Sequence, residues 1–254
     1  MKTIKLLIAV VLIAVAIPMQ AQTADEIIAN YFENTGGEEA WSKLEGIQIN
    51  AVVNQGFEIP VTIIEMKDGR QMIKINIQGQ DITQLAFDGE VAWTTNFQSM
   101  KSEKVDSETL ENFKTLAGKS FPSPFLNYKD KGFAVELLGE ELIDGTNTYK
   151  VQITMDPVKA DGEMVDNKVT YYFEADNFVP IQTASEIQAG PSKGQVSKDT
   201  YSDYAEVLAE GQEEGEGLYF ALSRTVFGGQ ALEIKSIDLN PKVTDEMFAF
   251  PEQE

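Results

Sequence analysis

Two hydrophobic periods divide the chain. From Thr23 to Gly37 apolar residues recur at helical spacing, with Ile27, Ile28, Tyr31 and Phe32 on one face. Thr23 and Glu26 stand at the spacing of a capping box, and Gly36-Gly37 supplies a stop. A short helical turn over residues 38–44 carries Trp41. From Ile47 the period becomes two. Ile47, Ile49, Ala51 and Val53 alternate with Gln48, Asn50 and Asn54, and Phe57, Ile59, Val61 and Ile63 extend the alternation, with Pro60 marking an edge or a bend. Beyond the turn Lys67-Asp68-Gly69-Arg70, Ile73, Ile75 and Ile77 alternate with Lys74, Asn76 and Gln78. Two more strands follow over residues 82–87 and 91–95, the second with Trp93. These are antiparallel hairpins with one apolar and one polar face.

The meander is then interrupted. Ser107 to Gly118 reads as an amphipathic helix with Leu110, Phe113, Leu116 and Ala117 on one side. The two prolines of Phe121-Pro-Ser-Pro-Phe125 predict an extended, stiff connection. Strands resume over residues 133–138, 149–155, 169–175, 179–187, 196–204, 218–227 and 231–239, with hairpin loops at 190–194 and 210–217. The expected fold is α+β but mainly β: one domain over residues 22–254, built on a large curled antiparallel sheet with a few helices covering its concave face. A sheet of ten or more strands rarely stays open without curving. Its apolar face is larger than the helices can cover, and a concave apolar remainder marks a ligand or partner site.

The residues proposed for that concave wall are Ile49, Val53, Ile63, Ile73, Ile75, Trp93, Val151, Ile153, Tyr171, Phe173, Phe220 and Leu222, with Leu110 and Phe113 of the mid-chain helix. The same stripe serves a filled core equally well, and alternation alone does not separate the two. Met66, Met72, Met100 and Met155 suit an adaptable binding wall or ordinary gap filling.

Composition narrows the compartment and the chemistry. Lys2 and Lys5, the apolar run Leu6 to Ile17, Pro18 and the small Ala21 have the order of a secretory signal peptide cleaved near Ala21. The run is short of the ~20 apolar residues of a spanning helix. A periplasmic location is therefore expected, without a membrane span. With no cysteine, neither a disulfide nor cysteine-linked lipid anchoring is expected. Lys and Arg number 20 against 41 Asp and Glu, for a net charge of −21, which repels nucleic acid and anionic headgroups.

The absence of histidine and cysteine removes the common nucleophilic triads and the His- or thiolate-ligated metal sites. Carboxylate-pair hydrolysis remains formally open, but with 41 acids some pair falls close by chance. Asp156, Asp161, Glu163 and Asp166 offer oxygen ligands without the spacing of a calcium loop, and read as a solvated loop between Met155 and Val169. Glu210, Glu213, Glu214 and Glu216, interleaved with glycines, read as an acidic turn. The two arginines, Arg70 and Arg224, fall in no recognisable motif. No catalytic residue, metal site or cofactor is expected, and the chain reads as a binding protein rather than an enzyme.

Several short pieces in a fixed order carry a resemblance. They are Thr23-Ala-Asp-Glu-Ile-Ile with Thr35-Gly-Gly, Gly56-Phe-Glu-Ile-Pro60, Phe87-Asp-Gly with Trp93, and Lys131-Gly132 through Glu136-Leu-Leu-Gly139. Asp144-Gly145 with Tyr149-Lys-Val, Tyr171-Tyr-Phe with Pro180, Asp203-Tyr204-x-Glu206-Val207, Ile237-x-Leu239-Asn240 and Asp245-x-x-Phe248-x-x-Pro251 complete the series. In these the chain resembles the LolA-like outer-membrane lipoprotein carrier and sorting superfamily, in its Bacteroidetes type. The resemblance implies a half-open antiparallel barrel whose concave face takes up acyl chains, with helix 107–118 as a lid element. It also implies acyl chains or lipoproteins as partners in a Gram-negative periplasm, and an outer-membrane acceptor protein for the handover. The competing expectation is an envelope protein-interaction or structural module with a closed barrel core.

Overall fold

The computed structural model describes residues 22–226 and 229–251; the proposed signal peptide lies outside the described residues. Helix α1 (Ala24–Asn34) begins at the capping box the sequence predicts. The Thr23 hydroxyl accepts the Glu26 N–H at 3.2 Å, and the Thr23 N–H donates to the Glu26 carboxylate at 2.8 Å. Helix α2 (Glu38–Ser42) follows a tight corner locked by buried Thr35, whose hydroxyl donates to the Tyr31 carbonyl at 2.7 Å and accepts from the Trp41 indole at 3.0 Å.

The strands are β1 (Gly46–Asn54), β2 (Glu58–Met66), β3 (Gln71–Ile77), β4 (Gln80–Phe87), β5 (Ala92–Asn96) and β6 (Lys101–Lys104). After α3 (Ser107–Leu116) come β7 (Ala134–Ile143), β8 (Thr146–Ala160), β9 (Glu163–Glu174), β10 (Pro180–Glu186), β11 (Val196–Val207), β12 (Leu218–Val226) and β13 (Gln230–Leu239). All belong to one antiparallel sheet in the order β6-β5-β4-β3-β2-β1-β13-β12-β11-β10-β9-β8-β7. One arm is laid outward from β1 to β6. The chain then crosses to the far edge and returns strand by strand from β7 until β13 pairs with β1. No pairing joins β6 to β7, so the barrel stays open.

Register assigns the two faces. Ile49, Ile63, Ile73 and Leu85 oppose one another across β1 to β4, as do Ala51, Val61, Ile75 and Ile82. In the returning arm Val151 opposes Tyr171 and Tyr149 opposes Phe173. This is the inner face. Its core packs Ile27, Ile28, Tyr31 and Phe32 of α1 and Trp41 of α2 against Ile47, Ile49, Phe173, Phe220, Ile234 and Ile237. Tyr31 meets Phe173 edge-on at 5.8 Å, and Trp41 lies 5.0 Å from Phe220.

Four features differ from the sequence expectation. Residues 121–133 are a succession of turns rather than an extended connection, and they drive Phe121, Phe125, Leu126 and Phe133 into the core. Strands β8 and β9 run on to a two-residue Asp161-Gly162 turn, so Asp156, Glu163 and Asp166 stand on a ribbon rather than in a loop. The acids there are split among separate lysines: Asp156 pairs with Lys119, Asp161 with Lys193 and Asp166 with Lys168. Strand β6 is too polar to show as a stripe, and it forms by pairing Trp93 through Asn96 with Lys104 through Lys101.

The fourth difference is Trp93, which the alternation had placed on the concave wall. It opposes Ala86, which opposes Met72, which opposes Ile64, and that row is the outer face. There the C-terminal tail covers it. Phe248 is fully buried among Ile64, Met66, Met72, Ala86 and Trp93, and the Trp93 indole donates to the Phe248 carbonyl at 2.9 Å. Arg70 clamps the same tail, bonding Asp68 at 2.9 Å and Asp245 at 2.7 Å with its guanidinium 5.1 Å from the Phe248 ring. Both faces of β5 are thus apolar, because Ala92 and Trp93 are each covered, and alternation carries no sign there.

Candidate functional site

The inner wall is filled at one end only. Where α1, α2 and residues 121–133 fill the bowl, Ile49, Val151, Ile153, Phe173 and Phe220 are buried and belong to the closed core. Along the same face Val53, Ile63, Ile73, Ile75, Tyr171 and Leu222 are only half-buried, as are Met155 and Val169. These side chains are partly buried and pack against the core from the same face.

Helix α3 lies between the two arms, in contact with β8 on one side and with Phe87 and Glu90 on the other. Asp106 caps it, accepting the Thr109 N–H at 2.9 Å. Leu110, Phe113 and Leu116 lie along one side and all remain half-buried; α3 has no fully buried residue. Phe113 packs on buried Phe87 of the first arm at 5.4 Å between rings. Polar contacts tie α3 to both arms. On the first arm Lys114 pairs with Glu90 at 2.6 Å.

On the second arm β8 outruns β7, whose pairing starts at Ala134 opposite Thr154, so residues beyond Met155 have a bare edge. The Asn112 amide occupies that edge. It donates to the Lys159 carbonyl at 2.8 Å and accepts the Lys159 N–H at 2.7 Å, replacing a strand partner. Glu108 accepts the N–H groups of Asp161 at 3.1 Å and Gly162 at 2.7 Å, and Glu111 pairs with Lys159 at 2.6 Å.

The C-terminal end of α3 rests directly on the β2–β3 turn. Gly118, at φ +68°, lies so close to the Lys67 carbonyl that a Cβ would collide with it. Gly69, at φ +94°, faces Ala117, where an added Cβ would sit 2.6 Å from the alanine methyl. Beneath this end lies a pocket of ≈ 420 Å³ lined by Glu65 and Gln71 of the sheet, Thr109, Phe113 and Leu116 of α3, and Phe121.

Polar groups interrupt the apolar wall at few places. Glu65 continues the inner stripe of Val61 and Ile63, lines the pocket and is itself open to solvent. Desolvation by the protein packed around it holds its carboxyl above the usual range, against an opposing pull from Arg224. On the returning arm one inner row runs Val151, Tyr171, Thr183, Asp199. Burial raises the phenol of Tyr171 and the carboxyl of Asp199, and pushes Tyr31 up to about 12. A neighbouring row runs Tyr201, Arg224, Leu232, Val53. Sequence inspection left Arg224 and Glu65 aside, although each extends an alternating series: Phe220, Leu222, Arg224 and Val61, Ile63, Glu65.

No family model matches the chain, and no curated protein does. Solved structures similar to it include a DUF1329 family protein from Desulfovibrio piger, at 13% identity over 88% of this chain and 97% of that one, with a TM-score of 0.45. A putative outer membrane lipoprotein-sorting protein domain from Vibrio parahaemolyticus is similar at 11% identity over 88% and 94%, with a TM-score of 0.45. LprF from Mycobacterium bovis is similar at 11% identity over 91% and 99%, with a TM-score of 0.32. The class the fold defines is an open, curled antiparallel sheet with helices over its concave face.

Proposed function

We propose that this protein is a non-catalytic carrier of acyl chains, free or on a lipoprotein, which it holds in the concave cleft beneath α3. The observation that carries this reading is the contrast between wall and strap. The inner face keeps Val53, Ile63, Ile73, Ile75 and Leu222 half-buried, while α3, held between the two arms, buries no residue of its own. A helix held mainly by polar bonds at its rim is displaced at small cost, and the apolar lining gains what the helix gives up. Each methylene taken into such a lining is worth ~0.8 kcal/mol, and the ordering cost of the chain offsets part of that. The order of Lys2, Lys5, the apolar run and Ala21 supports export to the periplasm and removal of the leader. An outer-membrane acceptor fits a carrier whose strap opens reversibly.

Native mass spectrometry of the protein purified from cells tests this reading, together with fluorescence titration by 1-N-phenylnaphthylamine and its displacement by palmitate. The expected result is a co-purifying lipid mass or saturable probe binding that palmitate reverses. Ile73→Asp, which charges the half-buried wall, weakens the probe about tenfold or more with unchanged circular dichroism. A wild-type protein of clean mass that binds neither probe nor palmitate overturns the proposal in favour of a closed interaction module.

A further inference from the structure

The two arginines of the chain have opposite surroundings. Arg70, on the outer side, is paired with Asp68 and Asp245 and stacked on Phe248. Arg224 also lies over an aromatic ring but has no such ion pair. Its Nε is buried without a hydrogen-bond partner, and among the described residues no carboxylate lies within ion-pair distance of it. The Tyr201 ring lies 5.8 Å from the guanidinium carbon. The registers Arg224 opposite Leu232 and Leu232 opposite Val53 put it on the inner face, beside the half-buried Leu222 and Val53 of the cleft wall.

A guanidinium stays charged at any physiological pH, and an unpaired charge in apolar surroundings is costly unless something satisfies it. The surrounding acids do not do so. Asp199 stands on the inner face two residues before Tyr201, with one carboxyl oxygen buried and itself unpartnered. Glu65 feels Arg224 only at a distance. Tyr201 shields one side of the guanidinium, and its Nε–H has no partner within the protein.

We infer that Arg224 is the anchor for the headgroup of the bound amphiphile, and that the ligand class is a long-chain carboxylic acid. This rests on the acyl-binding reading of the cleft. A planar carboxylate matches the parallel N–H donors of a guanidinium edge, while the tail continues over Leu222, Val53 and Ile75. Arg224 is a binding residue in this assignment, and its empty hydrogen-bonding capacity is the part of the site that the protein leaves to the ligand.

The test is displacement of the apolar probe by palmitate, hexadecanol and phosphatidylglycerol, from wild-type protein and from Arg224→Gln and Arg224→Lys. Removing an unpartnered charge spares the fold, which thermal melting checks in each variant. Wild type is expected to bind palmitate about tenfold or more tightly than hexadecanol. Arg224→Gln abolishes that preference while leaving hexadecanol within about twofold, and Arg224→Lys restores part of it. If palmitate and hexadecanol bind alike, and Arg224→Gln changes neither, the anchor is refuted while the apolar cleft stands. Failure of every amphiphile to displace probe from wild type refutes both. Dependence on Arg224 for phosphatidylglycerol but not for palmitate refutes the carboxylate class.

Discussion

The attachment of α3 to the bare edge of β8 predicts a measurable opening. Asn112 makes two hydrogen bonds to the Lys159 backbone, at 2.8 and 2.7 Å, and both are partly shielded from water. Asn112→Ala removes both and leaves the Lys159 N–H and carbonyl to solvent. At ~1 kcal/mol net for each bond, the closed position of the strap loses about 2 kcal/mol. That raises the population of the open form about thirtyfold. Hydrogen exchange followed by mass spectrometry reads this directly. In wild type, amides of α3 and of residues 155–162 are expected to be less protected than those of β1 and β13, because α3 has no buried residue to hold it. In the variant, exchange of α3 accelerates about thirtyfold. Unchanged exchange of α3, or wild-type protection in α3 equal to that of β1 and β13, refutes the reasoning, since the strap would then open only with the whole fold.

Phe248→Ala is expected to cost about 3–5 kcal/mol, because the ring is fully buried between Arg70 and the outer row of Ile64, Met72 and Trp93; urea denaturation followed by tryptophan fluorescence measures it. Gly118→Ala forces a left-handed residue and a collision with the Lys67 carbonyl, and is expected to lower stability by roughly 1–3 kcal/mol and loosen the strap. Lys131 supplies a pH test. Burial brings its ammonium down from 10.5 to about 8, so between those values the folded state holds fewer protons than the unfolded chain, and wild-type stability rises with pH across that window. Lys131→Met is expected to raise the melting temperature at pH 7 and to lose that advantage progressively from about pH 8 to 10.5. A constant difference across the range would show that the ammonium is not the cause.

Much of this architecture is legible in the chain because its elements declare themselves locally. The Thr23–Glu26 box starts α1 where expected, and the alternation of Ile47 to Val53, or of Ile73 to Ile77, follows from a sheet with one covered face. The curled antiparallel sheet with few helices is therefore read correctly. What the chain does not declare is set by contacts far away in sequence. Trp93 sits on the outer face because the tail around Phe248, 155 residues on, makes that face a second apolar environment. The prolines of 121–125 suggest stiffness, but Phe121 and Phe125 gain more by turning into the core. Lys159 and Asn112 carry no apolar signal at all, and their pairing follows only from the surplus length of β8. Within the wall, alternation identifies which residues face inward, but it cannot divide the closed core around Ile49 and Val151 from the half-buried lining at Ile73 and Leu222. That division depends on where residues 121–133 come to rest.

The pairing of β1 with β13 places two strands far apart along the chain side by side in the middle of the sheet. Ile47 waits for Leu239, and Ile49 for Ile237. Until residues 230–239 are available, β1 and β12 are both raw edges, each rich in branched and aromatic side chains and each a template for a foreign strand. Assembly of this chain is therefore gated by its C-terminus: two half-sheets form from hairpins, and their union has to close a loop of nearly the whole length. A partial chain ending before Gln230 is expected to aggregate rather than yield a smaller version of the cleft. Any helper that meets the protein before completion has those two edges to cover.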